Sequence, residues 1–329
     1  MRVTPECDTI NSFTICAAPY VQSDPVVVYN GNRFVVVWSD AHYAGYYWLA
    51  ATCVDTAGVV LDTAVCIGRQ TAQNETYPDI AFDGDYSLVV WYSLDEPHCV
   101  YGRYLNSNGQ PADTIITVAA TQASFNVDPS IAFAPDKYLI VWADTRPGYS
   151  DLDILGQLVS PDGQLIGSAI CVAAGSNNQL YPEVCSDGNK FLVVWREGTM
   201  AISGQWLDLS GNLIGDNFQV SDSTSYYRFR SSISASPINY LVAWSEIRNG
   251  EADIFGNRDL NTGIEEMPLG PKPKVGSARI LQGSFQCLTG MHFRIYDVCG
   301  RDVTEFPLTR GIYYLEVGGR IVEKLIKID

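Results

Sequence analysis

The sequence predicts an all-β fold: a five-bladed β-propeller closed by its N-terminal strand, followed by a small β-domain. Three observations predict it. One motif recurs five times, the first four repeats carry four strand-and-turn signals and the fifth carries three, and the composition changes near residue 264. The motif is an apolar run ending in tryptophan, at Val35–Trp38, Leu88–Trp91, Leu139–Trp142, Leu192–Trp195 and Leu241–Trp244. Successive tryptophans lie 53, 51, 53 and 49 residues apart. A near-constant period of this size marks a repeat architecture in which each unit buries its face on the next.

Within a unit, a short first strand such as 78–82 leads to a tight turn, Asp83-Gly84. Asn30-Gly31, Pro135-Asp136 and Asp187-Gly188 hold the same place elsewhere. Such pairs tolerate the positive φ angles that two-residue hairpins require. The tryptophan run is the second strand. A third strand carries a small residue at one register: Ala51, Gly102, Gly156, Gly204 and Gly256. A turn glycine follows seven residues later, at Gly58, Gly109, Gly163, Gly211 and Gly263. Four short strands per unit describe a propeller blade.

The fourth strand is present in units one to four, as at 169–172, but after Gly263 the chain reads Ile-Glu-Glu-Met-Pro. Residues 12–17, within a strand expected at about 9–18, match the fourth strands that end in Cys66 and Cys171. This predicts that the N-terminal strand completes blade five and removes an open sheet edge. The expected domains are therefore 1–263 for the propeller, 264–276 for a Pro/Gly linker, and 277–329 for the small β-domain.

The formal net charge is −16, yet residues 272–329 hold nine Lys/Arg against six Asp/Glu. An acidic propeller argues against nucleic acid as a partner, since phosphate binding needs clustered Lys and Arg. The segment Arg294-Ile295-Tyr296-Asp297-Val298-Cys299-Gly300-Arg301, followed by Gly311-Ile312-Tyr313-Tyr314-Leu315 and a basic-apolar end, resembles the C-terminal sorting domain of the type IX secretion pathway. That resemblance implies an immunoglobulin-like β-sandwich at 277–329 and an extracellular or cell-surface location on a bacterium. Propeller units of the form Pro-x-Ile-Ala-Phe-x-x-Asp-x-Tyr-Leu-Ile-Val-Trp also resemble repeats found in secreted bacterial proteins.

No apolar run reaches membrane-spanning length, so membrane insertion is not expected. Met1-Arg2-Val3-Thr4-Pro5 does not read as a signal peptide, and the sorting-like tail favours numbering from a mature end. The nine cysteines are an odd number, so at least one is unpaired within the chain. Cys16, Cys66 and Cys171 share a register in different blades and should lie too far apart to bridge. Cys185 replaces the small core residues Ala81 and Ala132. With three histidines and no Cys-x-x-Cys, neither a metal site nor any other cofactor is expected.

Two sets of acids are candidates for chemistry. Asp24 and Asp128 precede the proline of the first strand, where Tyr77, Tyr181 and Arg230 stand in the other blades; Asp79 and Glu183 follow it. Five-bladed propellers include glycoside hydrolases of the arabinanase type, and such sites need two or three carboxylates converging at one mouth of the channel. Asp24, Asp128 and Glu183 are the catalytic candidates under that reading. Asp before Pro is also a common turn residue, and that structural role takes precedence. The second set, Asp40, Asp144, Glu197 and Glu246, sits two residues after the tryptophans and reads as loop-fixing. Tyr43, Tyr46, Tyr47 and Trp48 in blade one, and Tyr226 and Tyr227 entering blade five, are interface candidates.

Weighed together, these features lead to the expectation of a non-enzymatic structural or interaction protein at the cell surface. Its partner is expected to be a second copy, the basic tail docking head-to-tail on an acidic propeller to form filaments, or another surface protein. The alternative is a glycan-binding or glycoside-hydrolase-like propeller that uses the carboxylates at the channel mouth.

Overall fold

The protein is described here from a computed structural model. It describes residues 2–3, 9–43, 46–69, 74–121, 127–145, 151–222, 226–236, 239–248, 250–257, 279–281, 293–297, 311–317 and 320–327. The chain divides into two compact units, residues 15–263 and residues 1–14 together with 264–329.

The larger unit is a five-bladed propeller. Each blade is an antiparallel meander: Gln22–Tyr29, Phe34–Tyr43, Tyr46–Val54 and Val65–Cys66 in blade one; Glu75–Phe82, Ser87–Ser93, Cys99–Leu105 and Pro111–Ala120 in blade two. Blade three comprises Ser130–Ala134, Lys137–Thr145, Leu152–Val159 and Leu165–Ala173. Blade four comprises Gln179–Ser186, Lys190–Glu197, Ala201–Asp208 and Leu213–Gln219. Blade five has three strands among the described residues, Tyr227–Ala235, Tyr240–Arg248 and Glu251–Asn257. The hairpin glycines Gly31, Gly84 and Gly188 take φ of +84°, +109° and +89°, the left-handed region that Gly adopts without steric cost.

The repeated tryptophan is the wedge between blades. Trp91 packs with Val35, Val37 and Leu49 of blade one, and Trp142 with Leu88, Val90 and Tyr92 of blade two. Trp195 packs with Leu139 and Val141 of blade three, and Trp244 with Leu192 and Val194 of blade four. Each ring therefore lies against the preceding blade. The small register position opposes this second strand, in pairs such as Val141 with Gly156 and Val194 with Gly204. A Cβ on Gly204 would lie 3.0 Å from Phe218, so the outer strand closes over a place where only hydrogen fits comfortably.

The N-terminal segment differs from expectation. Thr9–Asn11 pairs with Arg2–Val3, so its backbone groups are used in a local hairpin. Residues 12–18 enter no ladder, and the outer edge of Glu251–Asn257 carries no fourth strand among the described residues. In the smaller unit, Arg279–Leu281, Phe293–Asp297, Gly311–Val317 and Arg320–Lys327 form one four-stranded sheet whose edge pair, Arg279–Leu281 with Arg320–Lys327, is parallel. The second sheet of the expected sandwich lies outside the described residues, as do Cys287 and Cys299. The described cysteines, including Cys16, Cys66 and Cys171, are free thiols.

Truncating the wedge should open an interior cavity. Trp142→Ala is expected to lower the unfolding free energy by about 3–5 kcal/mol in urea denaturation. A loss under about 1 kcal/mol would contradict the wedge role.

Candidate functional site

The inner strand of each blade breaks register near the same point. Ser23 faces Ser39 and Val26 faces Val37, so Asp24 and Pro25 together oppose Trp38. Tyr77 and Pro78 oppose Trp91, and Tyr181 and Pro182 oppose Trp195, in the same way. In blade three Val127 accepts from the Ala143 N–H and the ladder resumes at Ser130, leaving Asp128 and Pro129 unpaired in it. In blade five the break falls one residue earlier, with Phe229 and Arg230 facing Ser245. Proline has no N–H to give to a ladder, so it fits such a break at no hydrogen-bonding cost. The residue before it is driven to positive φ: 51° at Asp24, 55° at Tyr77, 37° at Asp128 and 56° at Tyr181. For a tyrosine this is a genuine outlier, costing on the order of 1–3 kcal/mol.

The bulges gather two rings of side chains at the centre of the propeller. Asp24, Tyr77, Asp128, Tyr181 and Arg230, one from each blade, line a cavity of about 480 Å³ that also exposes Asp79 and Glu183. The cavity thus brings together all three catalytic candidates, Asp24, Asp128 and Glu183.

Their environments differ. Asp24 is exposed and accepts a hydrogen bond from Ser23 Oγ at 2.9 Å. Asp128 is buried; its Oδ1 accepts from Arg230 Nη2 at 2.7 Å, while Oδ2 is buried without a donor. Burial pushes its carboxyl up, and the Arg230 guanidinium opposes that. Asp79 accepts from Ser130 Oγ at 2.9 Å, from the Ile131 N–H at 2.8 Å and from the Ile80 N–H at 2.8 Å. Ser130 Oγ in turn accepts from the Val184 N–H at 3.2 Å, so this chain staples blades two, three and four.

Glu183 borders the cavity within this crowded wall. Burial first and the Asp79 carboxylate second push its carboxyl up to about 8, against the pull of Arg230. Burial also raises Asp79, against donors from Ile131, Ile80 and Ser130 that favour its charged form, so the adjoining pair holds a proton above the ordinary carboxylate range.

Around these groups Arg230 lies over Tyr181 at 4.4 Å and Tyr77 at 5.5 Å from the ring centroids. The acids after the tryptophans do hold loops: Glu246 accepts from Trp244 Nε1 at 3.0 Å and pairs with Arg228 and Arg248. Of the interface candidates, Tyr46 and Tyr227 are exposed, and Tyr47, Trp48 and Tyr226 are half-buried. Tyr226 lies beneath Arg248 at 4.9 Å, and the Tyr43 side chain lies outside the described residues. The sequence reading passed over Arg196. Its signal was available: the residue after the repeat tryptophan is Ser39, Tyr92, Ala143 or Ser245 in the other blades.

No family model matches the chain, and no curated protein does. Among solved structures it is similar to a protein of unknown function from Dyadobacter fermentans, at 11% identity over 68% of this chain and 75% of that one, TM-score 0.51. It is also similar to an α-L-arabinofuranosidase from Lactobacillus brevis, at 12% identity over 72% and 90%, TM-score 0.48. An endo-arabinase from Bacteroides thetaiotaomicron matches at 12% identity over 78% and 99%, TM-score 0.48. At these identities the likeness speaks to the propeller fold alone.

The expectation of a non-enzymatic, self-assembling structural protein is corrected here. The three candidate carboxylates converge on one cavity in distinct environments, as the glycan alternative required.

The raised Glu183 sets the sign of a pH effect. The unfolded chain releases this proton near the ordinary carboxylate value, about 4.3, whereas the folded ring holds it to about 8. The group's contribution to stability is therefore full below the lower value and is lost as pH rises through the upper one. Urea midpoints measured from pH 4 to 9 should fall less in Glu183→Gln than in the native protein. Parallel curves would place the Glu183 carboxyl in the ordinary range.

Proposed function

We propose that the propeller binds a saccharide at the mouth of its channel and hydrolyses a glycosidic bond there. The observation that carries this reading is the convergence of Asp24, Asp128 and Glu183 on one cavity in unequal environments, with burial raising the Glu183 carboxyl. In this scheme Glu183, protonated at neutral pH, gives its proton to the leaving glycosidic oxygen as the bond to the anomeric carbon breaks. Asp24, open to solvent, takes a proton from the water that attacks that carbon. Asp128 Oδ2, buried without a donor among the described residues, accepts a sugar hydroxyl, and the ion pair with Arg230 holds Asp128 in place. Tyr77 and Tyr181 offer ring faces to the sugar.

Residues 277–329 are proposed to act in export to an extracellular or cell-surface location, with 1–263 and 264–276 as propeller and linker. The sorting-domain resemblance supports the first assignment, and the division of the chain at 263/264 supports the second.

A panel of neutral and acidic polysaccharides, assayed for new reducing ends, tests the reading. Cleavage of at least one is expected, with kcat lowered about 10²–10⁴-fold in Glu183→Gln and binding retained. Because the acid must carry its proton, the rate should fall as pH rises through about 8. Binding without cleavage would remove the hydrolase assignment, and neither binding nor cleavage would remove the saccharide reading itself.

A further inference from the structure

Arg196 is a buried cation with no counter-ion within ion-pair distance among the described residues. It sits on the second strand of blade four, only 8% exposed, and its Nε is buried without an acceptor. Among the described residues no carboxylate or carbonyl accepts from its guanidinium. Its contacts are aromatic: the Tyr181 ring at 4.8 Å and the Tyr227 ring at 5.9 Å. Stacking offsets part of the desolvation of a guanidinium, but a buried charge is ordinarily matched by an opposite one. The other buried arginine of this region shows the contrast, since Arg228 is paired with both Glu246 and Asp222.

The guanidinium borders two cavities, one of which also carries Asp151 and Glu197. A cavity of about 580 Å³ is lined by Tyr181, Arg196, Tyr227, Phe229, Arg230 and Ser245, with no carboxylate among them. It shares Tyr181 and Arg230 with the central cavity, so the two are adjoining parts of one surface. Alternating rings and guanidinium groups run from one to the other: Tyr77, Arg230, Tyr181, Arg196, Tyr227. Tyr227 and Phe229 meet edge to face at 4.9 Å and form an apolar wall. Arg230 is already neutralised by Asp128, which leaves Arg196 as the one unmatched charge of this pocket.

We propose that this pocket is a subsite for an acidic sugar, whose carboxylate pairs with the Arg196 guanidinium while its ring packs on Tyr227 and Phe229. The inference rests on the saccharide reading of the channel mouth and specifies its substrate class as a uronate-bearing glycan. A single planar carboxylate fits a single guanidinium fork. A polyanion would gain less, because the protein carries −16 overall and Glu197 lines the neighbouring cavity.

The test uses the full chain and two probes: galacturonate oligosaccharides, and the same oligosaccharides with their carboxyl groups reduced to alcohols. Calorimetric titration should show the acidic form bound about tenfold or more tightly than the reduced form. Arg196→Met should erase that ratio and leave affinity for the reduced form unchanged, whereas Arg196→Lys, which keeps the charge without the fork, should retain part of it. A merely structural arginine would lower the melting temperature without altering the ratio. Equal affinity for the two forms, or a ratio that survives in Arg196→Met, overturns the subsite and leaves the saccharide reading standing. If the methionine variant does not fold, the lysine variant decides, and an unchanged ratio there overturns the fork. Failure of the native protein to bind either form overturns the subsite, and the polysaccharide panel separately decides the saccharide reading.

Discussion

Everything at the centre of this propeller depends on the register breaks of its inner strands. An unbroken strand would alternate its side chains between the two faces of its blade, with no reason to send equivalent residues into the channel. The bulge changes that. In blades one, two and four, two residues occupy the length of one, the second a proline that gives up no hydrogen bond, and the first is turned to positive φ. Bulges re-aim side chains, and their strain persists only where the surroundings over-determine the local conformation. In blades two to five the tryptophan wedges do so, because the second strand is fixed against the blade before it.

A near-symmetric scaffold then carries a deliberately unsymmetrical set of groups. At the position after the proline, or its equivalent, the five blades hold Val26, Asp79, Ser130, Glu183 and Ser232. Asp79 and Ser130 are joined by hydrogen bonds and serve as a staple. Glu183 is buried in the same wall beside the Asp79 carboxylate, and the Ser130 hydroxyl and Arg230 offset this only in part, so its carboxyl is pushed up to about 8. Asp128 is neutralised by an arginine from two blades away, and Asp24 is left at the rim. Four carboxyl groups of similar intrinsic acidity thus sit in different environments, set by burial and partners alone. This separation is what acid–base chemistry requires, and a symmetric ring of acids would not supply it.

Much of this was legible in the sequence. The tryptophan period gave the blade number, the Asn-Gly and Asp-Gly turns gave the hairpins, and the alternation Asp24, Tyr77, Asp128, Tyr181, Arg230 was visible as a ring before any geometry. What the sequence did not reveal was the use of each member. Asp before Pro reads equally as a turn, and nothing local distinguishes Asp79, held by donors from the next blade, from Glu183, which has few. Those partners are about fifty residues away in the chain. Arg196 was missed for a related reason: an arginine inside an apolar strand is conspicuous only once its missing counter-ion can be checked. The apolar pattern of the N-terminal strand suits any ladder, and among the described residues it pairs with Arg2–Val3.

The claim at the centre of this account is that the bulged ring keeps Glu183 protonated beside charged neighbours at neutral pH. Carbon-13 NMR of protein labelled at the glutamate carboxyl, with Glu183 assigned by its absence in Glu183→Gln, reads this directly. The account predicts a carboxyl resonance that titrates near 8. A Glu183 resonance titrating at the ordinary value, about 4.3, would contradict it.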